Sequence, residues 1–198
     1  DATSNIEVTG AIEEPGFYDI KKYNNLESLI DSLKFVDVYP WLGVLEQFDD
    51  NKMLKSIILF SLNDPSTYKS IELLPNSKVH FANIDKRSFN VSEMAKSKIE
   101  DYELILNHRQ GTFRLPVYGE YTVKSFIDLL GLDMSDVDDI ATYISPLEDI
   151  VINDSYENMQ FSAKKYNTVS FKSPDNNLIT VSIVGAVDYP GTYVLNDN

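Results

Sequence analysis

The sequence predicts an α+β protein of tandem modules, each a mixed sheet around one helix, ending on the opening hairpin of a third. Three observations predict it. One hairpin-like phrase occurs twice, one helix pattern occurs twice, and each helix is followed by short apolar runs of strand length. Repetition on this scale means repeated supersecondary units.

The phrase first runs Ile6-Glu7-Val8-Thr9-Gly10-Ala11-Ile12-Glu13-Glu14-Pro15-Gly16-Phe17-Tyr18. It returns as Val181-Ser182-Ile183-Val184-Gly185-Ala186-Val187-Asp188-Tyr189-Pro190-Gly191-Thr192-Tyr193. The copies stay 175 positions apart, from Gly10 with Gly185 to Tyr18 with Tyr193. Ile6, Val8 and Ile12 alternate with Glu7, Thr9 and Ala11, the period of a half-buried strand. Val181, Ile183 and Val187 repeat that face. Gly10 and Gly185 mark a bulge or a close backbone approach. Pro15-Gly16 and Pro190-Gly191 fit the central positions of a type II turn, where proline presets one φ and glycine accepts the positive one. Tyr18 and Tyr193 then open the returning strand.

The helix pattern follows the first hairpin. Leu26, Leu29, Ile30 and Leu33 share one helical face. Asn24 is the expected N-cap, with Glu27 completing a capping box. Tyr39-Pro40 ends any helical run. Trp41, Leu42, Val44 and Leu45 are expected to cover the sheet edge. Ser56 to Leu62 reads as a strand, as do Ile71 to Leu74 and Lys78 to Phe81 on either side of a Pro75-Asn76 turn. The order β-β-α-β-β is that of a β-grasp (ubiquitin-like) module.

The polar stretch from Arg87 to Asp101 reads as a linker, with a short helix from Val91 to Ile99. The second module is more diverged. Glu103 to Leu106 is its first strand, Gln110-Gly111 replaces Pro-Gly, and Phe113 to Val117 returns. Its helix, Thr122 to Leu130, matches Asn25 to Leu33 at an offset of 97, with Val123, Phe126, Ile127 and Leu130 as the apolar face. Asp149 to Asn153 and Gln160 to Phe171 supply the later strands. Val169 and Phe171 match Val79 and Phe81, 90 positions away. The expected division is therefore 1–88, a linker at 89–101, 102–175, and a hairpin at 176–198. A lone hairpin is marginal in water, so it is expected to open a third module that continues beyond residue 198.

This combination resembles a known family. A strand ending V-x-G-A, then x-x-P-G-x-Y, then a helix of the form L-x-x-L-I-x-x-L, resembles the SLBB module, the soluble-ligand-binding β-grasp domain of bacterial polysaccharide-export proteins. The likeness spans the chain as modules and is most specific in the two Pro-Gly hairpins and the helices. The resemblance implies a periplasmic, outer-membrane-associated scaffold that lines an export channel or touches polysaccharide, self-associating or packing against neighbouring export subunits. It leaves two other roles open: an envelope module for another soluble ligand, and a structural adaptor in a larger complex.

Bulk properties narrow the function. A hydrophobic content of 43% supplies a real core. A net charge of −14 argues against nucleic-acid partners and against anionic lipid. With no cysteine, thiol catalysis and zinc–thiolate sites are excluded. No apolar run approaches the roughly 18 residues of a membrane span, so no membrane contact is expected of this chain. No signal-peptide pattern stands at Asp1, so an exported form is expected to have lost its signal.

No catalytic site is expected. His80 and His108 share no metal-type spacing. Asp133, Asp136, Asp138 and Asp139 lack the spacing of a calcium loop and read as a solvated turn, as do Asp49-Asp50. No phosphate loop or nucleophile elbow is present, so no cofactor, no metal and no enzymatic activity are expected. Trp41, Tyr39 and Tyr189 are the aromatic candidates for stacking on a sugar face, against the commoner core role of such rings. Gly10, Pro15, Gly16, Gly185, Pro190 and Gly191 are expected to build turns and to carry no chemistry. Asn90 and Asn153 begin glycosylation sequons, a match frequent by chance.

Overall fold

Ile6 and Val8 are fully buried while Glu7 between them and Thr9 after them are not, so the alternation of the first phrase becomes a strand with one face in the core. In the computed structural model, residues 5–84, 103–162, 167–172, 178–183 and 191–196 are described. The chain divides into two units, 1–95 and 96–198. The linker at 89–101 and the helix from Val91 to Ile99 lie outside the described residues.

The first unit contains β1 (Asn5–Gly10), β2 (Gly16–Asp19), α1 (Leu26–Ser32), β3 (Val38–Phe48), β4 (Leu54–Phe60) and β5 (Lys78–Asn83). Its sheet runs β2-β1-β5-β3-β4. β1 and β5 are parallel and every other pair is antiparallel. The seven-residue α1 is too short to stand alone in water, so packing must hold it. Leu26, Leu29 and Ile30 pack into a core with Ile6, Val8, Leu45, Phe60, Val79 and Phe81. Each such burial is worth about 1.5–3 kcal/mol.

Several expectations need correction here. The N-cap of α1 is Asn25, whose Oδ1 accepts the Ser28 N–H at 2.7 Å, and not Asn24. Trp41, Leu42, Val44 and Leu45 do not cover an edge; they belong to β3, which lies between β5 and β4. Ile71 to Leu74 forms no strand; only Glu72 bridges, to Asn25. The Pro15-Gly16 turn is not type II. Gly16 has φ of 158°, far from the roughly +80° of the second central position, and it already pairs with Val8 as the first residue of β2. Residues 11–15 make the connection instead, with Ile12 buried and bridged to Phe35.

The second unit contains β6 (Glu103–His108), β7 (Gly111–Pro116), β8 (Glu120–Thr122), α2 (Val123–Leu130), β9 (Ile140–Ser145), β10 (Ile150–Ser155), β11 (Gln160–Ser162) and β12 (Asn167–Phe171). Its five-stranded sheet, read from the other end, runs β7-β6-β12-β9-β10, the order of the first unit strand for strand. β6 and β12 are parallel, as β1 and β5 are. Thr122 caps α2 through Ser125 N–H, and Gly131 ends it in the left-handed region at φ 58°. The small β8–β11 pair puts Thr122 opposite Gln160, where the first unit has the single Asn25–Glu72 bridge. β9 fills a stretch to which the sequence assigns no element, between the acidic turn and the strand at Asp149.

The late hairpin pairs β13 (Leu178–Ile183) with β14 (Gly191–Asn196). Val181 faces Tyr193 and Ile183 faces Gly191. These are the 175-offset counterparts of Ile6 with Tyr18 and Val8 with Gly16, so the register repeats as well as the residues. Gly185, Tyr189 and Pro190 lie outside the described residues.

Candidate functional site

Gly10 has a structural task. Its φ is +94°, and a Cβ there would stand 2.0 Å from the Phe81 carbonyl oxygen. That carbonyl accepts the Ala11 N–H at 3.0 Å. Only glycine lets the end of β1 approach β5 this closely. Beside the same loop lies a shallow groove of about 90 Å³, lined by Glu13, Glu14, Tyr18, Ser32, Leu33 and Lys34. Lys34 reaches Glu13 at 3.4 Å, and the Tyr18 hydroxyl donates to the Glu14 carbonyl at 2.7 Å. Burial, with the Glu14 charge adding to it, pushes the Tyr18 phenol above its usual range, so it stays a donor. The volume falls well short of the roughly 300 Å³ at which small-molecule pockets begin.

Two of the three aromatic candidates are among the described residues. Tyr39 and Trp41 are half-buried on the first part of β3, where the register with β5 slips between Val38 and Gly43. Pro40 between them accepts the Leu62 N–H at 2.8 Å through its carbonyl. Neither ring lines the groove. Tyr189 is outside the described residues.

The histidines have separate surroundings. His80 Nδ1 lies 2.9 Å from Thr9 Oγ1 across the parallel β1–β5 pair. The second unit repeats this rung, with Asn107 Nδ2 donating to Ser170 Oγ at 3.2 Å across β6–β12. Burial holds His80 below its ordinary pKa. His108 ends β6, is buried, and meets Phe171 edge to face at 5.9 Å. Its Nδ1 accepts the Gln110 N–H at 3.2 Å. Burial pushes its pKa down, the Arg109 charge adds to that, and Asp133 opposes it.

The acidic cluster has an internal counter-ion. Arg109, in the β6–β7 turn, donates to Asp136 and to Asp133, each at 2.6 Å. The Ser135 amide and hydroxyl, and then Arg109, hold the Asp133 carboxyl below the usual range. Asp138 Oδ1 accepts the Ile140 N–H and so starts β9. These contacts make the cluster a loop clamp. Asp49 likewise accepts the amides of Asn51 and Met53 in the β3–β4 turn. Among the described residues, no group of three or more His, Cys, Asp or Glu is placed to hold a metal ion. Asn153 accepts from Thr142 Oγ1 at 2.7 Å across β9–β10. Asn90 is outside the described residues.

The sequence reading passed over one surface. β10 is an edge strand whose three apolar residues Ile150, Val151 and Ile152 are all exposed. The run itself was visible; its exposure depends on which strand ends outermost. Among the described residues, no helix is long and apolar enough to cross a membrane. No protein-family model matches the chain, and no curated protein matches it.

Proposed function

We propose that the chain is a tandem of SLBB-type β-grasp modules from a bacterial polysaccharide-export protein, serving as a non-enzymatic scaffold in the cell envelope. The observation that carries the reading is the repeated topology. Two sheets of one strand order each have a parallel central pair and a helix between the second and third strands of that sheet. The early and late hairpins also share both residues and register. Repeated modules joined in series suit a wall or spacer better than a single enclosed site, and the groove beside the first hairpin is smaller than ordinary small-molecule pockets. In this reading the late hairpin belongs to a third module, and polysaccharide meets the modules along their surfaces.

The test is made on the source cells. An antibody raised against this chain should find the protein in the envelope fraction, and deleting its gene should remove surface polysaccharide. A cytosolic protein whose loss leaves surface polysaccharide intact would overturn the reading.

A further inference from the structure

β10 and β4 occupy the same outer place in the two sheets, yet they differ in what they hide. β4 buries Ile57 and Phe60. β10 buries nothing: Ile150 is 38% exposed, Val151 64% and Ile152 43%. Neighbouring Leu147, in the β9–β10 turn, is 63% exposed. Successive strand residues point to opposite faces, so β10 shows apolar side chains on both. Its only described partner strand is β9. Natural edge strands are normally blunted by charged side chains, lysine above all, by proline or by a bulge. β10 has no lysine, proline or bulge, its one charge, Asp154, lies beyond the apolar run, and its register with β9 is unbroken from Ile150 to Ser155.

Charge decides what fits there. Residues 133–162 hold eight acidic residues and no lysine or arginine. Two of these acids are taken up by Arg109. Asp149 and Asp154 flank the apolar run. An antiparallel pairing of β10 with a second copy of itself, centred between Val151 and Ile152, would put Asp149 directly opposite Asp154 twice. Like charges in that position are destabilising. We propose that the β10 edge is a docking site for an extended segment of a different protein, added as a sixth strand, with an apolar centre and lysine or arginine at its ends. Backbone hydrogen bonds supply the affinity, and the flanking cations set the preference.

Two fluorescein-labelled peptides, KKVTVTVKK and EEVTVTVEE, test this by fluorescence anisotropy against the whole chain. The lysine-flanked peptide should bind saturably and at least tenfold more tightly than the glutamate-flanked one. The double variant Val151→Thr/Ile152→Thr keeps charge and strand propensity, and should weaken binding about tenfold or more. Hydrogen exchange on the unaltered chain should show new protection at 150–153 when the lysine-flanked peptide is added. Equal binding of both peptides, undiminished binding by the double variant, or protection elsewhere overturns the proposal. So does a dimer of the chain alone that the double variant abolishes, since the occupant would then be a second copy.

Discussion

The two units reach one topology with different side chains in the middle. Ladder registers align them: Leu45 and Tyr143 face Val79 and Val169, which are equivalent. By the same alignment Leu29 corresponds to Phe126 and Leu73 to Phe161. The first unit thus has three buried leucines where the second has three buried rings. Phe161 stacks on Tyr143 at 5.5 Å and on Phe126 at 6.2 Å. The first unit finds its ring volume elsewhere, in Phe60, which meets Phe81 at 5.7 Å and Tyr68 at 6.1 Å. Phe60 pairs with Gly43; the equivalent pair is Asp154 with Ala141. Gly43 is required because a Cβ would stand 2.3 Å from the Phe60 ring. Close-packed interiors demand a total volume and not a particular donor. Once β9 and β11 fill the second core, its edge strand is released from that task, and this is why β10 is free to face outward.

The largest expected effect breaks this asymmetry directly. Phe60→Ala should cost the first unit about 3–5 kcal/mol, whereas Asp154→Ala should change the second by less than about 0.5 kcal/mol. Trp41 is the only tryptophan and lies in the first unit, so its fluorescence during urea unfolding reports that unit while far-ultraviolet circular dichroism reports both. A similar loss from both substitutions would mean that the cores are not partitioned this way.

Gly10 and His108 sharpen the comparison next, since they end equivalent strands. Gly10→Ala should lower stability by more than about 2 kcal/mol, because the positive φ and the Phe81 carbonyl both oppose a Cβ. His108→Ala should cost about 1–2 kcal/mol through lost packing on Phe171. The same two probes separate them.

The helix caps come third. Asn25→Ala and Thr122→Ala should each cost about 1 kcal/mol, in the first and second unit respectively. Asn24→Ala should cost less than about 0.5 kcal/mol. A larger loss at Asn24 than at Asn25 would reverse the assignment.

The smallest effect is on pH dependence. His80 and His108 both have folded pKa values below the ordinary 6.5. Below pH 6.5 the unfolded chain takes up protons first, so stability falls with pH until the lowered folded values are passed. Urea midpoints at pH 7.5 and 5.5 should therefore separate less in His108→Gln than in the natural chain. An unchanged separation would show that His108 does not contribute.

Local pattern made much of the fold legible, and long-range placement hid the rest. The hairpins could be read because alternation and glycine positions are short-range signals. The helices could be read because four apolar residues at helical spacing suffice. The match of Thr122 with Asn25 already pointed to the right N-cap, although two adjacent asparagines concealed it. β3 was misread because it is buried from Leu42 to Phe48 without a break, so it has no alternation, and Pro40 looked like a stop. A close approach at Gly10 could be read from a glycine inside a strand, but its partner Phe81, and the contact of Gly43 with Phe60, come from elsewhere in the chain. The apolar edge at β10 was hidden for the same reason.

The parallel central pair also sets a timetable. Thr9 and His80 are 71 positions apart, and Asn107 and Ser170 are 63 apart. As the chain leaves the ribosome, each opening hairpin must wait for the strand that seals its free side. Both units present the same kind of opening hairpin to a parallel sealing strand, so order of arrival matters. Synthesis from one end favours the correct partner by delivering β5 before β6 exists. Refolding from denaturant removes that order. Strand exchange between units should then slow recovery in the whole chain more than in the first unit alone.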